Sequence, residues 1–168
     1  EYRNIFDFSG KTVLITGGTG TIGSEFAKAF ASCGADVVIS GRDQEKAKNI
    51  VKNCIQCGVK ASFIKCDLTN ISDIEQMVNL TAEYYGKIDI LCNHGGISMR
   101  RPVFECTESD WENLIDIDLK APFFIAQKTA KIMSSSGFGR IINTASVSSA
   151  RGHKGLSIYA AAKGGLSQ

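Results

Sequence analysis

The sequence has little net charge and no long apolar run. Nineteen lysine and arginine residues against seventeen aspartate and glutamate residues leave a net charge of +2. So small a surplus, with no local basic patch, argues against a nucleic-acid or membrane-surface partner. The longest apolar run, 121–126, contains Pro122 and is far shorter than the roughly 20 residues of a membrane-spanning helix. We therefore expect no nucleic-acid partner and no membrane span.

Signals for secretion and for disulfide stabilisation are also missing. The chain opens at Glu1, without Met and without a charged segment followed by an apolar one, so we expect no signal peptide. Six cysteines in 168 residues fall well below the roughly 8–10% typical of disulfide scaffolds. Cys54 and Cys57 form a single CxxC without a second CxxC or a histidine pair, which favours helix packing over a zinc or redox role. These absences predict a cytoplasmic protein without a metal site.

What the sequence has is enough apolar residues for one core and an excess of glycine. Apolar residues make up 43% and charged residues 21% of the 168 positions, as in an ordinary soluble domain. No linker, low-complexity tract or internal repeat divides residues 1–168, so we expect a single domain. Seventeen glycines exceed the roughly 7% share of an average protein, and their positions are therefore informative.

Strands and helices alternate along the chain. Short apolar segments predict strands at 12–16, 37–40, 61–66, 88–92 and 140–145. Apolar residues at helical spacing predict helices that end at Gly34, Gly58 and Gly86, a long helix from Thr107 to about Ser134 bent at Pro122, and a helix from about Ser157. Because each strand is nearly all apolar, we expect a doubly wound parallel sheet between helical layers, a three-layer Rossmann-type α/β fold.

A glycine-rich turn follows the first predicted strand. Gly18-x-Gly20-x-x-Gly23 lies between this strand and the first helix, which is the context that a dinucleotide fingerprint requires. The glycines let the backbone approach a pyrophosphate, and the helix N-terminus supplies oriented N–H groups. No Lys-Ser or Lys-Thr follows, so the turn is not a P-loop. The turn predicts a bound dinucleotide, and the alternative is a tight turn without a ligand.

The end of the second predicted strand indicates which dinucleotide is preferred. An acid there would bind the ribose 2′-OH of NAD, whereas an arginine accommodates the 2′-phosphate of NADP. The segment reads Ser40-Gly41-Arg42-Asp43, and Asp43 is better placed as a helix cap. Arg42 therefore favours NADP(H), with NAD(H) as the second candidate. The alternative for Arg42 is a solvated residue at the helix start.

Tyr159 and Lys163 lie four residues apart in a predicted helix, so their side chains share one face. A phenol is mostly protonated at pH 7, and a neighbouring ammonium favours the phenolate, which makes the phenol a usable general acid or base. Such a pair alone is common on protein surfaces. A functional role for this pair is favoured by Ser146, which follows the fifth strand on the same side of the sheet as the glycine turn.

Together these motifs resemble the short-chain dehydrogenase/reductase family, in its single-domain branch. The resemblance implies reversible hydride transfer between a nicotinamide cofactor and a secondary alcohol or ketone, with sugar acids and 3-oxoacyl compounds as candidate substrates. It also implies a homodimer or homotetramer. The resemblance runs from about Gly10 to Gln168 and rests on Thr16-Gly17 through Gly23, Asp67, Asn93-His94-Gly95-Gly96, Ser146 and Tyr159-Ala-Ala-Ala-Lys163.

The resemblance also assigns roles to single residues. Tyr159 would protonate the carbonyl oxygen during reduction, Ser146 would hold that oxygen, and Lys163 would bind the nicotinamide ribose and favour the phenolate. Asp67 and Leu68 would contact adenine, and Asn93 the neighbouring ribose. The expected cofactor contacts are Gly17, Thr19, Gly20, Thr21, Ile22, Gly23, Arg42, Asp67, Leu68, Asn93, Gly95, Tyr159 and Lys163.

Three features depart from the family pattern. The glycine turn reads Thr-Gly-Gly-Thr-Gly-Thr-Ile-Gly, closer to the Gly-x-x-Gly-x-x-Gly of the extended branch. His94 replaces the second Asn of the Asn-Asn-Ala-Gly motif, and we interpret it as a structural hydrogen-bonding residue rather than a catalytic one. Asp118 stands where the family usually has an Asn that helps to hold a water in a proton relay from the lysine.

Asp118 interrupts a predicted apolar stripe formed by Trp111, Ile115, Pro122, Ile125 and Met133. An ionised carboxylate on a buried face is costly unless it is paired, and Lys163 is the candidate partner. We therefore count Asp118 among the candidate catalytic residues and expect it to keep the relay role with a changed pH dependence, which an Asp118→Asn variant tests. The alternative is an aspartate turned to solvent at the bend of the helix.

Two rival functions remain from the sequence. One is a nucleotide-binding sensor or scaffold without catalysis, because the resemblance predicts two further strands and a substrate loop after Gln168. The more distant one is a methyltransferase with a similar glycine turn, which would have no use for Tyr159 and Lys163 at this spacing. We accordingly expect a Rossmann-type fold that lacks its C-terminal strands.

Overall fold

A computed structural model describes residues 6–168 and contains one five-stranded sheet. Every pair of neighbouring strands is parallel, and the strand order is β3-β2-β1-β4-β5. The direction of winding therefore reverses between β1 and β4, where open α/β sheets place their ligands. The strands are β1 (Thr12–Ile15), β2 (Asp36–Gly41), β3 (Ala61–Lys65), β4 (Ile90–Asn93) and β5 (Arg140–Asn143).

Helices connect the strands and cover both faces of the sheet. They are α1 (Thr21–Ser32), α2 (Gln44–Ile55), α3 (Ile71–Tyr85), α4 (Glu108–Ile115), α5 (Ala121–Ser136) and α6 (Ser157–Ser167). Side chains cap several of them: Asp43 accepts the Lys46 N–H at the start of α2, and Thr107 with Asp110 forms a capping box at the start of α4. These contacts confirm both predicted helix starts. In the described part of the chain, no helix is long and apolar enough to cross a bilayer.

Alternate residues of each strand pack into two separate core layers, because successive strand side chains point to opposite faces. On one face, Leu14 and Leu91 pack with Met77 of α3 and Ile125 of α5. On the other face, the core contains residues of β1 and β2 with small residues of α1 and α2, including Val13, Ile15, Val37, Ala27 and Ala47. The predicted three-layer, doubly wound α/β fold is confirmed.

The long helix predicted from Thr107 is divided differently from our expectation. A π-helical segment, Asp116–Lys120, separates α4 from α5, so the irregularity precedes Pro122. Pro122 follows this segment directly as the second residue of α5, and it has no N–H to donate to the turn before it. The predicted bend at Pro122 stays a prediction, whereas the predicted stripe is incomplete because Trp111 is 49% exposed.

Strand bounds also differ slightly from the predicted ranges. β3 ends at Lys65, β4 begins at Ile90, and β5 ends at Asn143, before the polar segment that contains Ser146. β5 lies at one edge of the sheet, and Ile141 and Ile142 on it are exposed. The carboxyl ends of these strands nevertheless all lie on the same side of the sheet, as parallel pairing requires.

Leu91→Ala tests the central core layer. Leu91 is completely buried between β1 and β5, so the truncation should lower the free energy of unfolding by about 2–5 kcal/mol, measured by urea denaturation. Tyr84→Ala is the control, because Tyr84 is 62% exposed and its truncation should change stability little. Equal stability of the two variants would contradict this assignment of the core.

Candidate active site

A cleft of about 290 Å³ opens at the carboxyl ends of the strands. It lies at the point where the winding of the sheet reverses, and residues following β1, β2, β3 and β4 all contribute to its wall. His94, Gly96, Ile97 and Ile117 line it in addition to the predicted cofactor residues. The predicted cofactor residues in its wall are Gly17, Thr19, Gly20, Arg42, Asp67, Leu68 and Gly95.

The glycine turn at the floor of this cleft depends on close backbone contacts. Gly17 has a φ of +66°, and a Cβ added to it would lie 2.7 Å from the Gly95 Cα. A Cβ at Gly23 would collide with the carbonyl oxygen of Gly17. Both positions therefore require glycine, one for its backbone conformation and both for space.

The turn presents the start of α1 to the cleft. Gly20 is the N-cap of α1, and among the described residues no side chain caps this helix. The first N–H groups of a helix have no intrahelical acceptor, so an uncapped first turn is suited to an anionic group. Thr21, Ile22 and Gly23 form this turn, although their side chains do not line the cleft.

Thr16 joins the ends of β1 and β4. Its Oγ1 accepts hydrogen bonds from the N–H groups of His94 at 3.1 Å and of Gly95 at 3.0 Å. Thr16 is buried, so these bonds are shielded from water. They hold the loop after β4 against the glycine turn.

The residues predicted to bind the adenosine part of the cofactor differ in their exposure and in their hydrogen bonds. Arg42 is exposed at the end of β2, and Asp43 is engaged in capping α2. Asp67 accepts hydrogen bonds from the backbone N–H and the hydroxyl of Thr69, and these bonds lower the pKa of the Asp67 carboxyl. Asp67 is therefore an ionised acceptor in the cleft wall, next to Leu68.

Asn93 is more deeply placed than the sequence suggested. It is 3% exposed and does not line the cleft. Its Nδ2 donates to the Pro122 carbonyl at 3.1 Å and to Asn143 Oδ1 at 3.0 Å, while its own Oδ1 is buried without a partner among the described residues. Asn93 thus ties β4 to β5 and to the start of α5.

Lys163 and Asp118 form a buried ion pair. Lys163 Nζ lies 3.2 Å from Asp118 Oδ2 and donates to the Thr144 carbonyl at 3.0 Å. Asp118 Oδ1 accepts the Ile97 N–H at 2.7 Å. Burial raises the pKa of the Asp118 carboxyl, while the Ile97 N–H and the Lys163 charge oppose this shift. The alternative that Asp118 faces solvent is wrong, since Asp118 is completely buried.

Ser146 begins the short turn Val147–Ser149, and Tyr159 lies on α6. Lys163 Nζ is 5.9 Å from the centre of the Tyr159 ring. The Ser146 hydroxyl accepts the Ser148 N–H at 3.1 Å, and Ser149 of the same turn donates through its hydroxyl to the Lys163 carbonyl at 2.9 Å. The turn after β5 is thereby attached to α6. Between these described residues, no direct hydrogen bond joins Ser146 to Tyr159.

His94 has a structural hydrogen bond, as expected. Its Nδ1 lies 3.1 Å from Thr144 Oγ1, and its ring packs edge-on against Phe26 at a centroid distance of 5.3 Å. Burial, with a smaller contribution from the Lys163 charge, lowers the pKa of His94 and favours the neutral imidazole. His94 also lines the cleft, which the sequence did not indicate.

Three contributors to the site were missed from the sequence. Thr144 accepts from Lys163 through its carbonyl and bonds His94 through its hydroxyl. Ile97 contributes a backbone N–H to Asp118. Gly96 allows Asp118 to approach, since a Cβ at this position would lie 3.0 Å from Asp118 Oδ2. Only Gly96 had a signal in the sequence, through the Asn93-His94-Gly95-Gly96 segment.

The parallel sheet, the glycine turn and the residues at the strand ends define a Rossmann-type α/β protein. The sequence model of the short chain dehydrogenase family matches residues 11–168. The chain belongs to the short-chain dehydrogenase family. Among residues 6–168, no three His, Cys, Asp or Glu side chains lie close enough to hold a metal ion.

Two curated relatives are named as sugar-acid dehydrogenases. A 2-dehydro-3-deoxy-D-gluconate 5-dehydrogenase from Formosa agariphila is 34% identical over 97% of this chain and 62% of its own length. A gluconate 5-dehydrogenase from Gluconobacter oxydans is 35% identical over 99% of this chain and 65% of its own length. The chain thus spans less than two thirds of the length of these relatives.

Solved structures of the same fold include complexes with both nicotinamide dinucleotides. A metagenomic short-chain oxidoreductase in complex with NADP has a TM-score of 0.91, is 29% identical, and matches 95% of this chain and 72% of its own. An NAD⁺-bound xylitol dehydrogenase also has a TM-score of 0.91, is 28% identical, and matches 95% of this chain and 62% of its own.

Thr16→Val tests the junction between β1 and β4. The nearly isosteric change removes the oxygen that accepts from His94 and Gly95, and buried N–H groups without an acceptor are costly. We expect the free energy of unfolding to fall by about 1–3 kcal/mol in urea denaturation. The control is Thr21→Val, the same change at an exposed position, which should have little effect. A Thr16→Val protein as stable as this control would argue against the junction.

Proposed function

We propose that the whole protein is an NAD(P)-dependent oxidoreductase that transfers a hydride between a nicotinamide cofactor and a secondary alcohol or ketone. The observation that carries this proposal is the buried lysine, Lys163, which lies beside the Tyr159 ring at the same sheet edge as the glycine-turn cleft. Burial of an ammonium is costly even when it is paired, as Lys163 is with Asp118, and such buried titratable groups are enriched at functional sites. Membership of the short-chain dehydrogenase family supports the same chemistry.

The cleft fits a dinucleotide. The uncapped N–H groups of Thr21, Ile22 and Gly23 are suited to the pyrophosphate, and Asp67 and Leu68 form a wall suited to adenine. Asn93 has only its Oδ1 left for a ribose hydroxyl, because its Nδ2 already has two acceptors. When bound, the dinucleotide would supply or accept the hydride, and the residues of this chain would bind it and orient its ring.

NADP(H) is the preferred cofactor in this proposal. Arg42 is an exposed cation in the cleft wall at the end of β2, and Asp43, the nearest acid, is held by the start of α2. This arrangement favours a 2′-phosphate over a free 2′-hydroxyl. NAD(H) stays the second candidate, because related folds are known with either dinucleotide bound.

Arg42→Ala tests the cofactor preference. Loss of a charge-assisted contact should weaken NADPH binding by about 10- to 100-fold and leave NADH binding almost unchanged, as measured by fluorescence quenching. Arg140→Ala is the matched control, since Arg140 is the first residue of β5 and lies at the end of the strands opposite to the cleft. Equal losses for NADPH and NADH would count against a 2′-phosphate contact.

The proposed reduction uses Tyr159 as the acid. Its hydroxyl would protonate the carbonyl oxygen as hydride adds to the carbonyl carbon, and the Ser146 hydroxyl would donate to the same oxygen. Lys163 would bind the nicotinamide ribose and stabilise the phenolate that forms. Asp118 is proposed to serve the proton relay through its contact with Lys163.

Tyr159→Phe tests this assignment in the full-length gene product. Removal of the phenolic hydroxyl should lower kcat by about 10²- to 10⁴-fold while NADPH binding is retained. Tyr84→Phe is the control, because Tyr84 is 62% exposed on α3 and should retain full activity. Undiminished turnover in Tyr159→Phe would remove this residue from the mechanism.

The proposed substrate is a secondary alcohol or ketone of the sugar-acid or 3-oxoacyl type. The gluconate names of two relatives support the first class. NADPH oxidation by the full-length protein against a panel of keto acids, keto sugars, 3-oxoacyl thioesters and diketones tests the proposal. Cofactor binding without turnover across this panel would favour the nucleotide-binding sensor or scaffold instead.

We also propose a homodimer or homotetramer in the cytoplasm. Large apolar side chains are exposed before and on α4 and α5, a pattern that favours a protein partner. They are Val103, Phe104, Trp111 and Phe123. The six cysteines are all free thiols, which is typical of a reducing compartment. Light scattering on the full-length protein would give the oligomeric state.

A further inference from the structure

Asp118 and His94, which both depart from the family pattern, are connected to Lys163 in space. Asp118 Oδ2 lies 3.2 Å from Lys163 Nζ, which also donates to the Thr144 carbonyl at 3.0 Å. The hydroxyl of the same Thr144 lies 3.1 Å from His94 Nδ1. One threonine therefore links the lysine and the histidine, and the carboxylate contacts the lysine directly.

The ion pair is almost completely withdrawn from water. The side chains of Lys163 and Asp118 are 6% and 1% exposed. In such surroundings a charge acts over a longer distance than it does at the surface. The charge of the Asp118 carboxyl therefore acts on groups near Lys163, whose Nζ lies 5.9 Å from the centre of the Tyr159 ring.

The other charged groups around α6 lie towards the surface. In the π-helical segment, Asp116 and Lys120 pair with each other at 3.0 Å. On α4, Asp110 is paired with Arg101.

The remaining acids of α4, Glu108 and Glu112, are exposed, and the turn Val147–Ser149 carries no charge. His94 is favoured in its neutral form by burial, which lowers its pKa. Among the described residues, Asp118 is thus the buried acid that contacts Lys163.

We infer that Asp118 is a positioning residue that offsets the charge of Lys163 and so keeps the Tyr159 hydroxyl protonated to higher pH than an asparagine at position 118 would. The Asp118 carboxylate disfavours the phenolate, so the Asp118–Lys163 pair stabilises the phenolate less than the Lys163 ammonium alone would. This inference rests on the proposed function and deepens it.

The protonation state of Tyr159 sets the pH range over which the site can reduce a carbonyl group. In reduction, the bound dinucleotide would supply the hydride for the new C–H bond, and Tyr159 would give its O–H proton to the carbonyl oxygen and be left as the phenolate. The reactive form of Tyr159 is then the protonated phenol. A site that retains this form to higher pH continues to reduce carbonyl groups where an asparagine-containing site would lose its acid.

The experiment is a spectrophotometric titration of Tyr159 in the full-length protein. Tyrosinate absorbance in the near ultraviolet is followed against pH, and the curve of Tyr159→Phe is subtracted to isolate this residue. Asp118→Asn should lower the midpoint by about one pH unit, because a charge within about 4–6 Å shifts the pKa of a neighbouring group by about 1–3 units and Asp118 acts on the phenol from beyond Lys163.

Asp116→Asn is the matched control. It makes the same chemical change two residues away, at an acid paired on the surface, and should leave the midpoint unchanged. Asp118→Glu, which keeps the charge, should stay near the wild-type midpoint. If Asp118→Asn does not fold, Asp118→Ser provides the neutral side chain instead. A midpoint that is unchanged or raised in the folded neutral variant would overturn the inference.

The titration needs no turnover, so it separates this inference from the proposed function. A protein without NADPH-dependent activity can still show the lowered midpoint. Where activity is present, the pH profile of kcat/KM for carbonyl reduction should lose its alkaline side about one pH unit earlier in Asp118→Asn. An active enzyme whose profile is the same in both forms would contradict the inference and leave the proposed function intact.

Discussion

The site depends on the close backbone approach of the segments that follow β1 and β4. Gly17 and Gly95 meet with no room for a Cβ, and Thr16 holds the two segments together by accepting two backbone N–H groups. This contact brings the start of α1, which is suited to a phosphate, next to the loop that leads to Ile97. The cleft forms because β1 and β4 are paired and their carboxyl ends lie side by side.

The buried ion pair depends in turn on that loop. Ile97, at its end, donates its N–H to Asp118, and Gly96 leaves space for the carboxylate. The π-helical segment between α4 and α5 carries Asp118, and π-helical turns are frequent at functional sites. Asp118 then meets Lys163 of α6, so the carboxylate and the lysine come from elements that are distant along the chain.

Much of the fold could be predicted because hydrophobic periodicity and helix caps are local. Asp43, Thr107 and Gly86 each end or begin a helix as expected, and all five strands were located to within a few residues. The irregular helix around Pro122 was predicted only in part, because a proline indicates an interrupted helix without specifying which turn widens. The π-helical segment Asp116–Lys120 has no comparable signal in the local sequence.

The sequence by itself determined the class of fold, the glycine turn and the chemical types present at the strand ends, since these follow from spacing along one chain. Only the tertiary structure decided that Asn93 is tied to β5, that Thr144 links Lys163 to His94, and that Asp118 is buried. The physical reason is that solvation and charge pairing depend on groups far apart in sequence. The role of Asp118 therefore depends on Lys163, which folding brings within 3.2 Å of its carboxylate.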